Sequence, residues 1–188
     1  MPFGQDGSFS EDALFARLDA DLANDLGNLV NRTLSMIERY CQGRVPAVSG
    51  PGCAVDDEAL KQTATALSGA VDEAMARLDF SGALEAIMRV VTQANRYIEA
   101  QAPWSLAKQP QPARLHGVLN VLAEVIRIVA VTLEPFTPSV AAAVWQQLGC
   151  GAAARRFHDA SRWPGMAPGQ AIGTRAVLFP KPELARRS

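Results

Sequence analysis

The sequence predicts an all-α fold, a bundle of about five helices followed by an irregular C-terminal tail. Of its 188 residues, 48% are hydrophobic and only 6% are aromatic, a composition that favours packed helices over a sandwich of strands. Apolar residues also repeat at helical spacing through several long segments that Gly and Pro separate. We therefore assign residues 1–148 to the helical bundle and residues 149–188 to an irregular extension that packs on it.

Start and stop signals set the expected helices in order. Ser8 and Glu11 form a capping box, from which the first helix runs to about Tyr40. A Gly- and Pro-rich loop is predicted at residues 43–55, and the acids that follow it suit the positive N-terminus of the second helix. The remaining four helices are expected at about 56–78, 81–100, 113–133 and 138–148.

The helix expected at 113–133 is the most apolar and is predicted to lie at the centre of the bundle. Pro103 ends the helix before it, because proline disfavours the helical conformation in the preceding residue. In the tail, the apolar run 176–179 is predicted to lie against the bundle as an extended segment. The inner face of the helix at 81–100 is predicted to consist of Leu84, Ile87, Met88, Val91 and Ile98.

The charge balance limits the ways in which this chain can bind nucleic acid. Its formal net charge is −1 and its sequence pI is about 6.1, whereas proteins that hold nucleic acid by bulk charge are usually basic. We therefore expect RNA to bind only through a local site or with help from a partner domain, and we expect no DNA partner.

The three cysteines indicate a reducing compartment. Cys41, Cys53 and Cys150 are odd in number, widely spaced and without a CxxC pair, which argues against a disulfide framework and against a zinc site. No stretch of about 20 apolar residues is expected to span a membrane, and the N-terminus has no basic and apolar run of the secretory kind. The expected location is therefore the cytoplasm, with no membrane partner and no bound metal.

An asparagine-rich stretch at residues 21–32, DLANDLGNLVNR, is the first candidate binding site. Asn24, Asn28 and Arg32 are spaced four apart and form a polar stripe opposite the apolar face of the helix. Asn and Gly are poor helix formers, and disagreement with local propensity is expected at functional sites. Asn donates and accepts hydrogen bonds and Arg can bond or stack on a base, so the stripe suits RNA. A tolerated polar surface is the alternative interpretation.

A second candidate is Trp104, which stands on a connector just after the helix-ending Pro103 in NRYIEAQAPWSLAK. A tryptophan held at a rigid helix end is a stacking platform for an unpaired base, worth about 1–3 kcal/mol per base. A position in the core is the alternative for this tryptophan. Lys108 is a candidate phosphate contact, and ordinary solvation is its alternative.

The order of these motifs resembles a known family. DLANDLGNLVNR, GRVP, ANRYIEAQAPWSLAK, LEPFTPS and LFPKPE follow one another as in the C-terminal half of bacterial methionine–tRNA ligases. The similarity extends over nearly the whole chain, including the lead-in PFGQDGSFS. In that family this half is an α-helix bundle that reads the methionine anticodon, CAU.

The resemblance implies a role for each candidate residue. Trp104, with Pro103 beside it, would stack on the first anticodon base, while Asn28 and Arg32 would hydrogen-bond to the edge of that base. Asn24 completes the matching stripe. The implied partners are methionine tRNA, through its anticodon loop, and a catalytic domain.

The sequence departs from the intact family enzyme in its catalytic features. Signatures resembling HIGH and KMSKS, which belong to a Rossmann-type catalytic domain, are missing, and so are the paired cysteines of a zinc-binding insertion. The family enzyme uses ATP and magnesium, but this chain is expected to hold no cofactor and to be inactive as an enzyme alone. No nucleophile, base or metal cluster can be assembled from its residues.

Two further classes of protein fit parts of the pattern. A helical protein-interaction module without an RNA role could use the alanine-rich face of the second helix. The anticodon-binding domain of a ligase for isoleucine, valine, leucine or cysteine shares the bundle, but the combination of the APW motif with the Asn-x3-Asn-x3-Arg stripe is not expected there.

Overall fold

The structure, a computed structural model, describes residues 24–47, 55–110 and 112–179. A π-helical turn at residues 24–27 leads directly into the first helix. Among the described residues the only strand-like pairing is an isolated antiparallel bridge between Arg44 and Ala171. The helices are α1 (Asn28–Tyr40), α2 (Val55–Ala76), α3 (Phe80–Gln101), α4 (Pro103–Leu106), α5 (Ala113–Leu133) and α6 (Pro138–Leu148), followed by 3-10 turns at Ala152–Arg155 and Phe157–Asp159.

These bounds confirm the predicted all-α fold, with one addition. The connector predicted around Trp104 is the short helix α4. Pro103 is its first residue, a position where the fixed φ of proline suits a helix and its missing N–H is not needed. The predicted capping box of Ser8 and Glu11 lies outside the described residues.

The predicted inner face of α3 is wrong at Leu84. This side chain is 37% exposed, and Met88 is only partly buried. The helix instead turns a run of small residues inward, because alanine lets α3 lie close to α2 and α5. The residues that α3 buries are Ala83, Ala86, Ile87, Val90, Val91, Ala94, Tyr97 and Ile98.

Helix α5 lies at the centre of the bundle, as the sequence predicts. It contacts α1, α2, α3, α4 and α6, and every residue from 117 to 133 is buried. By length and composition α5 could cross a membrane, which corrects the expectation that no segment is apolar enough. Its most apolar window is 94% buried inside the bundle, so the hydropathy of α5 reflects its position in the core.

A buried ion pair on α5 holds residues 162–166 of the C-terminal segment, which is the chain that follows α6 (residues 149–179). Arg127 Nε donates to Glu124 Oε2 at 2.8 Å, and both side chains are fully buried. Glu124 Oε1 accepts from the backbone N–H groups of Gly165 (2.9 Å) and Met166 (2.8 Å), while Arg127 Nη2 donates to the carbonyl of Arg162 at 2.7 Å. A Cβ atom on Gly165 would collide with the Arg127 guanidinium, so this close approach requires glycine.

Beyond this pair the segment returns to the start of the bundle. Val45 N–H donates to the Gln170 carbonyl at 2.8 Å, and Ile172 N–H donates to the Gly43 carbonyl at 2.9 Å. Residues 172–179 then run without regular secondary structure, with Arg175 hydrogen-bonded to α1, Ala176 to α6, and Leu178 partly buried against the core.

We expect Arg127→Met to lower the free energy of unfolding by about 3–5 kcal/mol, because it leaves the buried carboxylate of Glu124 without its cationic partner. Urea unfolding followed by circular dichroism measures this loss. As a control, Arg89→Met at an exposed position of α3 should change stability by no more than about 0.5 kcal/mol. An equal effect of the two substitutions would contradict the assigned role of Arg127.

Candidate nucleic-acid interface

Three side chains from α1, α3 and α4 meet at the surface. The Arg32 guanidinium lies over the Trp104 ring, 5.4 Å from the ring centroid, close enough for a cation–π interaction. Arg32 Nη2 also lies 2.7 Å from Glu99 Oε1. All three remain accessible to solvent, with Trp104 37% exposed as a residue and the side chains of Arg32 and Glu99 36% and 61% exposed.

The local backbone sets the position of Trp104. Ala102 follows the last residue of α3 and takes a left-handed conformation (φ 43°, ψ 58°), while its N–H still donates to the Ile98 carbonyl. Pro103 follows and is buried. The chain therefore turns sharply between α3 and α4, and the indole is presented at the start of the new helix.

A buried polar network fixes the end of α3. Asp57 Oδ1 accepts from Tyr97 Oη at 2.6 Å and from Arg114 Nη2 at 2.8 Å. Arg114 Nη2 also donates to Gln101 Oε1, so the last residue of α3 is joined to α2 and α5. Burial, together with the hydrogen bond to Asp57, raises the pKa of Tyr97, so Tyr97 remains a neutral donor. The hydrogen bond to Asp57 raises the pKa of Arg114.

The asparagine stripe lies on the same side of α1 as Arg32. Asn24 is exposed in the π-helical turn, and Asn28, also exposed, is the first residue of α1. Asn28 and Arg32 are separated by about 6 Å along the helix axis, a little more than one turn. The structure thus brings Arg32 and Trp104 into contact, beside the buried Pro103, whereas Asn28 and Asn24 lie about one and two helical turns before Arg32.

Lys108 is exposed in the turn that follows α4, four residues after Trp104. It therefore lies at the same end of α3 as the Arg32–Trp104 contact. Among the described residues no group of three or more His, Cys, Asp or Glu side chains could hold a metal ion.

Sequence reasoning missed two members of this region. Glu99 belongs to a quoted motif, but its contact with Arg32 depends on the packing of α3 beside α1. Arg175 Nη1 donates to Asn31 Oδ1 at 2.9 Å and to Ser35 Oγ at 2.7 Å. The excess of asparagine in residues 24–31 was a signal for Asn31, but nothing in the sequence indicates Arg175 as its partner.

Comparison with known proteins decides the family. The model of the anticodon-binding domain of tRNA ligases matches residues 56–177. The chain belongs to this family. The resemblance to methionine–tRNA ligases is confirmed as well, and no finding supports the alternative of a protein-interaction module.

The similar proteins are much longer than this chain. The methionine–tRNA ligase of Brucella melitensis is 42% identical over 182 residues, which cover 96% of this chain and 34% of that protein. The enzyme of Enterococcus faecalis is 43% identical over 79% of this chain and 22% of its own length. The crystal structure of free methionyl-tRNA synthetase from Mycobacterium tuberculosis superposes with a TM-score of 0.90 at 37% identity, covering 97% of this chain and 37% of that one. The chain thus spans about a quarter to a third of the curated relatives it matches.

We expect Ala102→Gly to raise the free energy of unfolding of this anticodon-binding domain by up to about 1 kcal/mol. Glycine removes the cost of a left-handed alanine, about 1–2 kcal/mol, and this gain exceeds the added freedom of the unfolded chain. Chemical denaturation measures the change. Ala66→Gly, at an exposed interior position of α2, is the control and should destabilise by about 0.5–1 kcal/mol. Destabilisation by both substitutions would contradict the strain assigned to Ala102.

Proposed function

We propose that this domain binds the anticodon loop of methionine tRNA and reads the CAU anticodon, as part of methionine–tRNA ligase activity in protein synthesis. The observation that carries this proposal is the contact between Arg32 and Trp104, with Asn28 one turn away on α1. A half-exposed indole beside a guanidinium and an amide offers both a stacking surface and hydrogen-bonding groups. Proteins read unpaired RNA bases with this combination.

Trp104 supplies the stacking surface. The first anticodon base stacks on the exposed part of the indole, whose orientation is fixed by buried Pro103 and by the left-handed turn at Ala102. A rigid platform binds more tightly than a mobile one, because less side-chain entropy is lost when the base arrives.

Arg32 and Asn28 supply the edge contacts. The guanidinium lies close enough to the ring to donate to a base stacked there, and cytosine presents two acceptors, O2 and N3, on its pairing edge. Asn28 adds both a donor and an acceptor. Asn24 extends the same polar stripe, and Lys108 contacts a phosphate of the loop.

The ligase reaction itself belongs to the larger protein in this proposal. A Rossmann-type catalytic domain holds ATP and magnesium and transfers methionine, whereas this domain holds neither and contributes recognition of the tRNA. The near-neutral charge of the chain fits this division of roles, since the catalytic domain would share the work of holding the tRNA. The ligase of which this domain is a part acts in the cytoplasm, and neither DNA nor a membrane is its partner.

A binding assay tests the proposal directly. We expect the domain to bind an RNA stem-loop with a CAU anticodon at least about tenfold more tightly than one with UAU, a difference of roughly 1.4 kcal/mol. Trp104→Ala should remove most of this difference, since stacking contributes about 1–3 kcal/mol per base. Fluorescence anisotropy at fixed moderate salt measures both affinities.

The matched control uses a second arginine on α1 that also lies over an aromatic ring. The Arg39 guanidinium lies 5.5 Å from the Tyr40 ring centroid, about two turns away from Arg32. Arg39→Gln should leave the preference for CAU intact, whereas Arg32→Gln should abolish it, and both variants should remain helical by circular dichroism. Equal binding of the two loops by the unaltered domain would refute anticodon recognition.

Glu99 should contribute to the choice of cytosine over uracil. The Glu99 carboxylate lies 2.7 Å from the Arg32 guanidinium, which contacts the base in this proposal. The carboxylate can accept from the N4 amino group of cytosine, whereas it repels the O4 carbonyl of uracil. We expect Glu99→Gln to strengthen binding of the UAU loop more than that of the CAU loop, narrowing the preference several-fold in the same assay.

Glu58→Gln provides the matched control for this prediction. Glu58 also forms an exposed ion pair, with its carboxylate 3.2 Å from Lys61 Nζ on α2. Its substitution should leave the preference for CAU over UAU unchanged. Each exposed pair contributes no more than about 1 kcal/mol to folding, so both variants should remain folded. An unchanged preference in Glu99→Gln would exclude this residue from base selection.

A further inference from the structure

The C-terminal segment and the first turn of α1 enclose a pocket beside Asn28. The pocket measures about 340 Å³ and is open to solvent, a size in the range of small-ligand sites. The residues that give it its chemistry are Asn28, Asn31, Arg175, Val177, Leu178 and Phe179.

Hydrogen bonds hold the wall of this pocket in place. Arg175 Nε lies 2.9 Å from Glu38 Oε2, and its Nη1 donates to Asn31 and Ser35, so one guanidinium spans two turns of α1. The next residue, Ala176, donates its N–H to the Gln147 side chain of α6 at 3.1 Å. The wall is therefore anchored to two helices of the bundle.

The pocket combines apolar side chains of the C-terminal segment with polar groups from α1 and Arg175. Val177 is 78% exposed although it lies between residues that are anchored or packed on the core. Asn28, Asn31 and Arg175 contribute the polar groups that line the pocket. A flat apolar face with hydrogen-bonding groups along its edge is the shape and chemistry of a nucleobase.

The pocket lies about one turn of α1 from the residue that contacts Trp104. Asn28 lines the pocket and stands about 6 Å along α1 from Arg32. A loop whose first anticodon base lies on Trp104 therefore has this pocket within reach of its neighbouring bases.

Building on the proposed function, we propose that this pocket is a second base subsite. It binds the second or the third anticodon base, which packs on Val177 and Phe179 and is hydrogen-bonded at its edge by Asn28 and Asn31. The C-terminal segment is then part of the RNA-binding surface, and Arg175 is the positioning residue that holds its wall against α1.

Stem-loops that lack one base at a time test the subsite. We expect removal of the second or the third anticodon base to weaken binding by the unaltered chain about tenfold. Val177→Asp should weaken binding of the intact loop to a similar extent. In this variant, removing the base that occupies the pocket should then weaken binding by less than about twofold. The cost of removing the first base should stay unchanged in this variant, because Trp104 is intact.

Val55→Asp is the matched control. Val55 is 87% exposed at the start of α2 and does not line the pocket, so this variant adds the same charge and should leave every base-removal cost unchanged. Val177→Ala, which introduces no charge, should reproduce the pattern of Val177→Asp more weakly.

Two results overturn the subsite without touching the Trp104 surface. One is an unaltered chain that loses no affinity when the second or third base is removed. The other is a loss of affinity in Val177→Asp that adds in full to the loss caused by base removal, at both positions. Such additivity means that Val177 does not interact with either base. In either case a retained, Trp104-dependent preference for CAU over UAU leaves the proposed function standing, whereas loss of that preference overturns both.

Discussion

The burial of α5 on all sides is the constraint from which much of this structure follows. Two charged side chains, Glu124 and Arg127, lie in the middle of that buried helix, and charges removed from water must be paired and hydrogen-bonded. The ion pair satisfies only some of the donors of Arg127 and the acceptors of Glu124. The backbone around residues 162–166 supplies the remaining donors and acceptors. The chain after α6 is therefore drawn back over the bundle, and residues 172–179 are delivered to the surface of α1.

Helix α1 shows how a polar sequence can be tolerated in a packed bundle. Its apolar face is fully buried, and this burial offsets the poor helix propensity of its asparagines. Those asparagines are divided between two purposes. Asn31 accepts a hydrogen bond from Arg175 and so helps to position the C-terminal segment, whereas Asn28 is exposed one turn from Arg32, which lies over Trp104.

The electrostatics of the region suit selection more than tight binding. A net charge of −1 gives little general attraction for a phosphate backbone. Within the region itself, Glu99 beside Arg32 weakens the local positive potential, and in the proposed function it adds an acceptor that distinguishes cytosine from uracil. Under the proposed function, affinity comes from the larger ligase, while this domain contributes discrimination through a few fixed groups.

The sequence by itself determined the class of fold, the bounds of most helices, the central position of α5 and the family, because helical periodicity, proline positions and motif order are local properties of the chain. It also selected Asn28, Arg32 and Trp104 as candidates. Only the tertiary structure decided that Arg32 and Trp104 touch, that Glu99 joins them and that Arg175 holds the C-terminal segment on α1, since these contacts join residues far apart in sequence. It also decided which side of α3 faces inward, where Leu84 gives way to the alanines. The apolar repeat of α3 fits two orientations of the helix about its axis, one with Leu84 inward and one with Ala83 and Ala86 inward. Only close packing against the neighbouring helices selects between them.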